Sequence, residues 1–411
     1  MPQAEAAYSS WPWGRVSDAC FHSPEAPGCP RAPHWSDRPA VIKVGAALSL
    51  SGGFALQGRQ AACGLRLWAE DLATAGGLAV PDRDGRMPVE LIVYDDESRM
   101  GLAAARVEEL ITEDRVDLLI GPYSSALTLA VAPVAERHRK VLWNHGGASD
   151  AIARRNFRFV VTLESPASRY FDGILRMLTH VAPFANRVAL VYGARGTFSP
   201  AVIDGAERYA RDNGFLVTFK VPYPPTRAEF AALGTQLADQ SPDVILGVGR
   251  TEDDVQLAWT LKAQGVRARA MGLVAAPLRA FMEALGHDTG GFLGPSQWEP
   301  GVRYRPDVGP APAEFVARFR DRFGGKPDYP AAQAYAAGLV AQRCVETTGT
   351  LRDEPVREAA DTLAFTTLYG GFKLAAQSGE QIGHTMVVVQ WQGAQKPIVW
   401  PPEVAEAQPQ I

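Results

Sequence analysis

With 411 residues, the chain has room for two domains that each bury a hydrophobic core. Hydrophobic residues make up 46% of it and charged residues 21%, with a formal net charge of −4, so it lacks the excess of basic residues typical of nucleic-acid-binding proteins. No stretch reaches about 18 consecutive apolar residues, which excludes a transmembrane helix.

The first 39 residues differ in composition from the rest. Met1–Pro39 is rich in Pro, Ser and Trp and has no apolar periodicity, basic start, apolar core or cleavage site of a secretory signal. We expect a disordered or mis-started N-terminal extension, in which Cys20 and Cys29 could pair if the chain is exported. Cys63 and Cys344 fall on predicted helices and are expected to be buried thiols. No Cys/His cluster has metal-ligand spacing, and we predict no metal and no cofactor.

From Val41 onward, short apolar strands alternate with helices. The first four predicted strands are Val41–Leu48, Val89–Tyr94, Val116–Ile120 and Val141–Trp143. Apolar residues recur every three or four positions between them, in helices that contain Ala61–Leu72, Ala103–Ile111 and Leu127–Arg137. This alternation predicts a parallel sheet with right-handed helical crossovers.

A second series of the same kind begins at Arg187. Its predicted strands are Arg187–Tyr192, Phe215–Val221, Val244–Val248 and Ala268–Val274. Ser199-Pro200, the capping box that starts at Thr226, and Thr251 each indicate a helix start. The two series together predict an α/β fold of two doubly wound parallel-sheet lobes.

The remaining segments are too few and too helical to close a third core. They are the helices Ala313–Phe323, Ala331–Thr347 and Val356–Leu363 and the strand Thr385–Trp391. They should return to the two lobes, so the chain crosses between the lobes more than once and forms a hinge beside a cleft. We expect lobe 1 to comprise residues 40–156 and about 295–370, lobe 2 residues 157–294 and about 371–400, and residues 401–411 to form a tail.

A candidate binding seat lies where the strand Val116–Ile120 passes into a helix. Gly121-Pro122 ends the strand, and Ser124 or Ser125 is expected to cap the helix. Backbone N–H groups and two hydroxyls then converge at the carboxyl edge of a sheet. This arrangement suits a ligand group that accepts hydrogen bonds, such as a carboxylate or a carbonyl.

Several motifs in order resemble one known family. They are Ile42-Lys43-Val44-Gly45, Leu50-Ser51-Gly52, Tyr94-Asp95-Asp96, Ile120-Gly121-Pro122-Tyr123-Ser124-Ser125, Asn144-His145-Gly146-Gly147-Ala148-Ser149, and a helix with Tyr335 after Lys326-Pro327. The set resembles the leucine/isoleucine/valine-binding proteins, which are type I periplasmic binding proteins of branched-chain amino-acid ABC transporters. The likeness covers roughly Val41 to Trp391.

The resemblance implies a solute-binding protein without enzymatic activity, which closes its hinge over a small amino-acid-like, organic-acid or amide ligand. In relatives, a serine matching Ser124 or Ser125 holds the ligand's carboxylate, and residues matching Gly146, Gly147 and Ala148 add main-chain contacts. The other positions that correspond to the family's pocket are Tyr123, Ser149, Gln57, Phe198, Arg250, Val274 and Tyr329.

Two of these positions depart from the family pattern. The acid that meets the ligand's ammonium in relatives matches Val274, and a pocket tyrosine matches Arg250. Because a hydrogen bond to a charged group contributes roughly 1.5–3 kcal/mol, these changes should disfavour an ordinary zwitterionic amino acid. Arg250 would instead favour an anion or a carbonyl-rich ligand. Glu164, Glu252 or Asp253 could restore an ammonium site.

Two enzymatic alternatives find weak support. Asp95-Asp96 after a strand suggests a dinucleotide site, but Ser51-Gly52-Gly53 and Gly247-Val248-Gly249 lack the full glycine pattern. We interpret the two acids as a polar strand end with a turn or hinge role. A hydrolase would need a nucleophile elbow, and His145 has no clear carboxylate to orient it.

Two functions remain open among binding proteins. A transport receptor would have an ABC permease and ATPase as further partners and would work in the periplasm. A ligand sensor, of the amide-sensor or receptor type, resembles the same family, and a cytoplasmic location would follow from the missing export signal if Met1 is the true start. Neither reading involves nucleic acid. In both, ligand meets Ser124, Ser125 and the Gly146–Ser149 loop before Phe198 and Arg250 close over it.

Overall fold

The computed structural model describes residues 41–83, 85–224 and 226–411. The predictions for Met1–Pro39, with Cys20 and Cys29, lie outside the described residues. Cys63 and Cys344 are both buried and unpaired, as predicted, and burial raises the pKa of each thiol to about 12. They behave as small core residues rather than reactive thiols.

Strands and helices alternate along most of the described chain. The strands are β1 Ile42–Leu48, β2 Leu78–Val80, β3 Gly85–Met87, β4 Val89–Asp95, β5 Leu118–Ile120, β6 Leu142–Asn144, β7 Val160–Thr162, β8 Arg187–Tyr192, β9 Leu216–Pro222, β10 Val244–Val248, β11 Ala270–Leu273, β12 Phe292–Ser296, β13 Ala364–Thr367, β14 Gly370–Lys373, β15 Val387–Gln390 and β16 Ile398–Trp400. The helices are α1 Ala55–Thr74, α2 Met100–Thr112, α3 Ser125–His138, α4 Asp150–Arg154, α5 Asp172–Val181, α6 Phe198–Asp212, α7 Glu229–Gln240, α8 Thr251–Ala263, α9 Arg279–Leu285, α10 Pro312–Phe323, α11 Tyr329–Thr348 and α12 Asp353–Thr362.

Two large sheets confirm the predicted two-lobe α/β fold. The first has the parallel order β4-β1-β5-β6-β7, and the second has the order β16-β15-β12-β11-β10-β8-β9. The second sheet is parallel from β9 to β12, whereas β15 and β16 are antiparallel additions at one edge. The strand order doubles back beside β1 in one sheet and beside β8 in the other, so each sheet has a point where ligands can bind at the strands' carboxyl ends.

Helices cover both faces of the second sheet, because successive side chains of its strands enter two different hydrophobic cores. On β8, Val188 and Leu190 join a core that includes α5 and α6 residues. The intervening Ala189 and Val191 join the core formed with α7, α8 and α9. Every residue of β10 is buried. This near-continuous apolar character is what a parallel strand covered on both faces requires.

Helices from the later part of the chain return to the first lobe. Helix α11 packs along α1, and α12 packs against α11. The packing of α1 on α11 is so close that a Cβ added at Gly64 would lie 2.0 Å from the carbonyl oxygen of Ala331. Because only glycine allows this approach of two backbones, Gly64 fixes the position of α11 and of Tyr329 at its first residue.

The chain therefore passes between the two sheets three times. The passages run from β7 to β8, from β12 to α10, and from β14 to β15. The strand β7 lies at residues 160–162, after the lobe boundary predicted at residues 156 and 157, and it pairs with β6 of the first sheet. The lobe boundaries themselves remain a proposal.

Three predicted helix starts differ in detail from the structure. Helix α6 begins at Phe198 with Thr197 before it, and α7 begins at Glu229, so neither Ser199 nor Thr226 is the capping residue. Helix α8 begins at Thr251 itself, with Arg250 as the N-cap residue. Asp253 accepts the backbone N–H of Arg250 at 3.1 Å, and this bond replaces the predicted threonine cap.

Candidate ligand-binding site

The turn from β5 into α3 carries the first predicted binding residues. Ser124 is the N-cap residue of α3, with a φ of 87°, and its Oγ accepts the backbone N–H of Leu127 at 3.3 Å. The backbone N–H of Ser124 donates to the carbonyl oxygen of Gly146 at 2.9 Å. Tyr123 also pairs with Gly146 in an isolated parallel bridge. The structure thus brings the β5 turn and the Gly146 loop together at the carboxyl edge of the first sheet.

Ser125 and Ser149 extend this contact toward the second lobe. The buried Oγ of Ser125 accepts the backbone N–H of Ser149 at 3.0 Å. The hydroxyl of Ser149 donates to the carbonyl oxygen of Thr197 at 3.2 Å, immediately before α6. Because Thr197 precedes Phe198, these bonds place Phe198 next to the serine turn. Each of Ser124 and Ser125 uses its oxygen as an acceptor, so the hydroxyl proton stays available for a ligand acceptor.

Hydrogen bonds within the protein already occupy several backbone groups of the Gly146–Ser149 loop. The Oδ1 atom of Asn144 accepts the N–H of Gly147 at 2.9 Å, and its Nδ2 donates to the carbonyl of Gly147 at 2.8 Å. The carbonyl of Ala148 accepts the N–H of Ala167 at 2.7 Å. Gly147 and Ala148 therefore shape the loop, and side-chain hydroxyls offer the freer donors.

Aromatic side chains line both sides of this turn. The hydroxyls of Tyr123 and Tyr329 are hydrogen-bonded to each other, and the ring of Phe54 lies 5.8 Å from that of Tyr123. Tyr170, at the first passage between lobes, packs edge-on against Phe198 with ring centroids 5.1 Å apart.

Gln57 lies at the edge of the cleft. It lines a narrow gap together with Asp328 of the first lobe and with Thr251 and Leu278 of the second. The lobes thus approach each other closely here, and α8 begins opposite α1.

Arg250 lies at the protein surface, and Val274 is only partly buried. Arg250 is exposed at the start of α8. Val274 is half-buried against the second-lobe core, and its N–H donates to the carbonyl of Gly247 at 3.0 Å. Neither position provides a carboxylate to meet a ligand's ammonium group.

Glu164, one of the three acids that the sequence suggests for an ammonium site, lies at the start of the first passage between lobes. It follows β7, is 1% exposed, and both of its carboxylate oxygens lack a hydrogen-bond partner among the described residues. Burial raises the pKa of Glu164 to about 8. An unpaired buried carboxyl group of this kind is a marker of functional sites.

The pKa of Glu164 predicts a pH-dependent stability. The folded-state pKa lies above the ordinary glutamate value, so the folded protein holds this proton more tightly than the unfolded chain does. The free energy of unfolding is therefore highest below the ordinary glutamate pKa and falls as the pH rises from there through about 8. We expect Glu164→Gln to match the wild type near about pH 4 and to be more stable at about pH 9. Thermal unfolding of the ligand-free protein across this range measures the difference.

The exposed Glu358 provides the matched control. Glu358→Gln should leave the wild-type pH profile in place. Parallel profiles for Glu164→Gln and the wild type would contradict a neutral, buried Glu164.

The three passages between lobes are hydrogen-bonded to one another beside Glu164. Gln297, on the second passage, accepts the N–H of Ser165 at 3.2 Å and the hydroxyl of Tyr369 at 3.1 Å. The Oγ of Ser165 lies 2.8 Å from Nδ1 of His384 on the third passage, whose ring stacks on Tyr369. This network forms the hinge, and neither Tyr369 nor Gln297 stood out in the sequence because only the folded chain brings the passages together.

The chemistry of an enzyme is not assembled here. His145 is fully buried, and burial lowers its pKa to about 4, so the ring is neutral at pH 7. No carboxylate hydrogen-bonds to it among the described residues. In the described ranges there is no cluster of potential metal ligands and no helix with the length and apolar character to cross a membrane.

A second concavity of about 300 Å³ lies away from the cleft, between α1, α10 and α11. Its two acids, Asp71 and Glu314, are both paired with Arg318, and the hydroxyl of Tyr335 also donates to Asp71. The charged side chains that line this concavity are thus paired with one another, so the cleft between the lobes is the better candidate for the ligand-binding site.

The chain belongs to the periplasmic binding protein family, whose model matches residues 41–396. It is 22% identical over 388 residues to a Leu/Ile/Val-binding protein homolog 8 of Brucella abortus (strain 2308), with 90% of this chain and 92% of the relative covered. The predicted membership of the leucine/isoleucine/valine-binding group is thereby confirmed. The proteins of this family bind substrates and are not enzymes.

Solved structures confirm the type I periplasmic-binding fold. The branched-chain amino-acid transporter substrate-binding protein LivJ of Streptococcus pneumoniae, solved with isoleucine, matches with a TM-score of 0.72 at 16% identity, covering 88% of this chain and 100% of that one. A solute-binding protein of Rhodopseudomonas palustris BisB5, solved with 3,4-dihydroxybenzoic acid, matches with a TM-score of 0.70 at 15% identity, covering 87% and 95%. At these identities the likeness defines the fold and leaves the ligand open.

Proposed function

We propose that this protein is the solute-binding component of an ABC importer and captures a small carboxylate- or amide-bearing ligand by closure of its two lobes. The observation that carries the proposal is the chain of hydrogen bonds from Ser125 through Ser149 to Thr197. It joins serine hydroxyls at the carboxyl edge of the first sheet to Thr197, the residue that precedes the second-lobe helix α6. A ligand held at the serines would therefore lie between the lobes.

Hinge closure follows from the architecture. Three chain passages join the lobes, and their side chains hydrogen-bond to one another around Gln297. Ligand first meets Tyr123, Ser124, Ser125 and the Gly146–Ser149 loop, after which the second lobe brings Phe198 over it and excludes water. The relatives with isoleucine and with 3,4-dihydroxybenzoic acid support a ligand that carries a carboxylate. Periplasmic location and an ABC permease with its ATPase as partners belong to the same proposal.

A thermal-shift screen of amino acids, organic acids and amides tests this function. A ligand that binds only the folded protein should raise the melting temperature as its concentration rises. At a concentration of 100 times Kd, it should add about 2.7 kcal/mol to the free energy of unfolding. A library of this composition without a single saturable stabiliser would overturn the proposal. Uptake of the identified ligand by cells with and without the gene then separates a transport receptor from a ligand sensor.

A further inference from the structure

Glu164 stands at the junction of the binding loop and the hinge. The N–H of Leu163 donates to the carbonyl of Asn144 at 3.1 Å, so Glu164 leaves the first sheet beside the Asn144–Ser149 loop. The N–H of Ser165 donates to Gln297 in the second passage between lobes. The backbone on either side of Glu164 is thus fixed, and the side chain is held in the region where the lobes meet.

The carboxylate of Glu164 has no partner there. It is 1% exposed, and among the described residues neither oxygen has a hydrogen bond and no Lys, Arg or His forms an ion pair with it. A buried carboxyl group without partners destabilises the protein, and proteins rarely retain one unless a ligand or ion completes it. A cationic donor would complete it, because a nearby positive charge favours the ionised form of the carboxyl group and that form only accepts hydrogen bonds.

Tyrosines lie close to the backbone beside Glu164. Gln297, which accepts the N–H of Ser165, also hydrogen-bonds the hydroxyls of Tyr170 and Tyr369. These two tyrosines come from the first passage between lobes and from the β13–β14 turn, so aromatic groups from two elements meet next to Glu164. Aromatic faces attract cations, as a carboxylate does.

We propose that Glu164 binds a cationic nitrogen of the captured ligand, while Ser124 and Ser125 hold its carboxylate or carbonyl end. This inference rests on the proposed function and names the ligand class more narrowly as amino-acid-like. In this assignment Glu164, at the hinge, binds the ammonium group in place of the acid that the sequence comparison expects at the position of Val274. The captured molecule then carries an amino group as well as an acceptor group.

The other two acids considered for this role are less suitable. Glu252 is exposed on the first turn of α8. Asp253 accepts the backbone N–H of Arg250 and so has a partner within its own helix. Glu164 alone of the three combines near-complete burial with two unpartnered oxygens.

Matched ligand pairs test the assignment in the full-length protein. Each L-amino acid in a panel is paired with the carboxylic acid that lacks only the α-amino group, such as leucine with 4-methylpentanoic acid and phenylalanine with 3-phenylpropanoic acid. For at least one pair, the wild type should bind the amino acid at least about tenfold more tightly than its partner, as expected for one charged hydrogen bond. In Glu164→Gln this preference should fall below about threefold, measured by calorimetry.

Asp172→Asn is the control, because Asp172 on α5 also has a buried unpartnered oxygen but lies among Arg169, Arg176 and Arg208. It should retain the preference for the amino acid. Glu164→Asp, which keeps the charge, should retain part of it and shows that loss in Glu164→Gln is not misfolding.

Three results would overturn the assignment. An equal loss of affinity for both members of a pair in Glu164→Gln would assign the residue a purely structural role. Wild-type binding of the desamino acid at least as tightly as the amino acid, or binding only of amine-free carboxylates and amides, would reject a cation at Glu164 while the proposed capture function stands. Failure of all carboxylates and amides to bind would reject both.

Discussion

Replacing Ser124 and Ser125 together by alanine is expected to weaken ligand binding at least about tenfold while the protein stays folded. Both oxygens already accept a backbone N–H, from Leu127 and from Ser149. Neither bond uses the hydroxyl proton, which can therefore donate to a ligand carboxylate. Hydrogen bonds to a charged group contribute roughly 1.5–3 kcal/mol each, so the loss of even one gives the expected change.

Calorimetry with a ligand from the thermal-shift screen measures this loss. Removing the Ser124 cap costs about 1 kcal/mol of stability, which the fold should tolerate. Thr235→Ala is the control, because that hydroxyl bonds only its own helix at the carbonyl of Ala231, away from the cleft. Wild-type affinity in the double variant would remove the proposed seat from the serine turn.

The sequence predicts the two lobes well because their signal is local and repeated. Strands such as β8 and β10 coincide with the predicted Arg187–Tyr192 and Val244–Val248. Each is a compact apolar run followed by a helix start, so the pattern and the tertiary burial agree.

Strands that depend on tertiary pairing escaped prediction. β12 contains Gly294 and Pro295, residues that argue against an inner strand, yet it lies between β11 and β15. Its antiparallel neighbour places Pro295 opposite Val388, in a register that only the returning chain supplies. The three-residue strand β7, which pairs with β6 at the edge of the first sheet, was also not predicted.

The sequence predicts that the candidate site residues cluster at one sheet edge, but it does not predict how they are bonded. Strand ends of a parallel sheet meet at one edge, which brings Ser124 beside Gly146 as the motifs indicate. The sequence could not show that Asn144 binds the backbone of Gly147, because that bond depends on the shape of the loop. Nor could it show the isolation of Glu164, since the passages that bury this region come from distant parts of the chain.

Gly146→Ala is expected to reduce ligand affinity about 100-fold, the equivalent of two lost hydrogen bonds to a charged group. A Cβ at this position would lie 2.6 Å from Cα of Tyr123 and 2.8 Å from the carbonyl oxygen of Pro122. Both are backbone atoms that cannot rotate aside, so the loop must retreat from the β5 turn. Its retreat would break the bond from the Ser124 N–H to Gly146 and displace Ser149 from Ser125.

Gly53→Ala is the matched control for this effect. Gly53 lies in the loop after β1, and an added Cβ there would meet no atom within 4 Å. Calorimetry on both variants, with circular dichroism to confirm folding, should show wild-type affinity for Gly53→Ala and severe loss for Gly146→Ala. If Gly146→Ala binds like the wild type, the contact between the β5 turn and the Gly146 loop does not build the binding site. The ligand would then have to be held by the second lobe and the hinge alone.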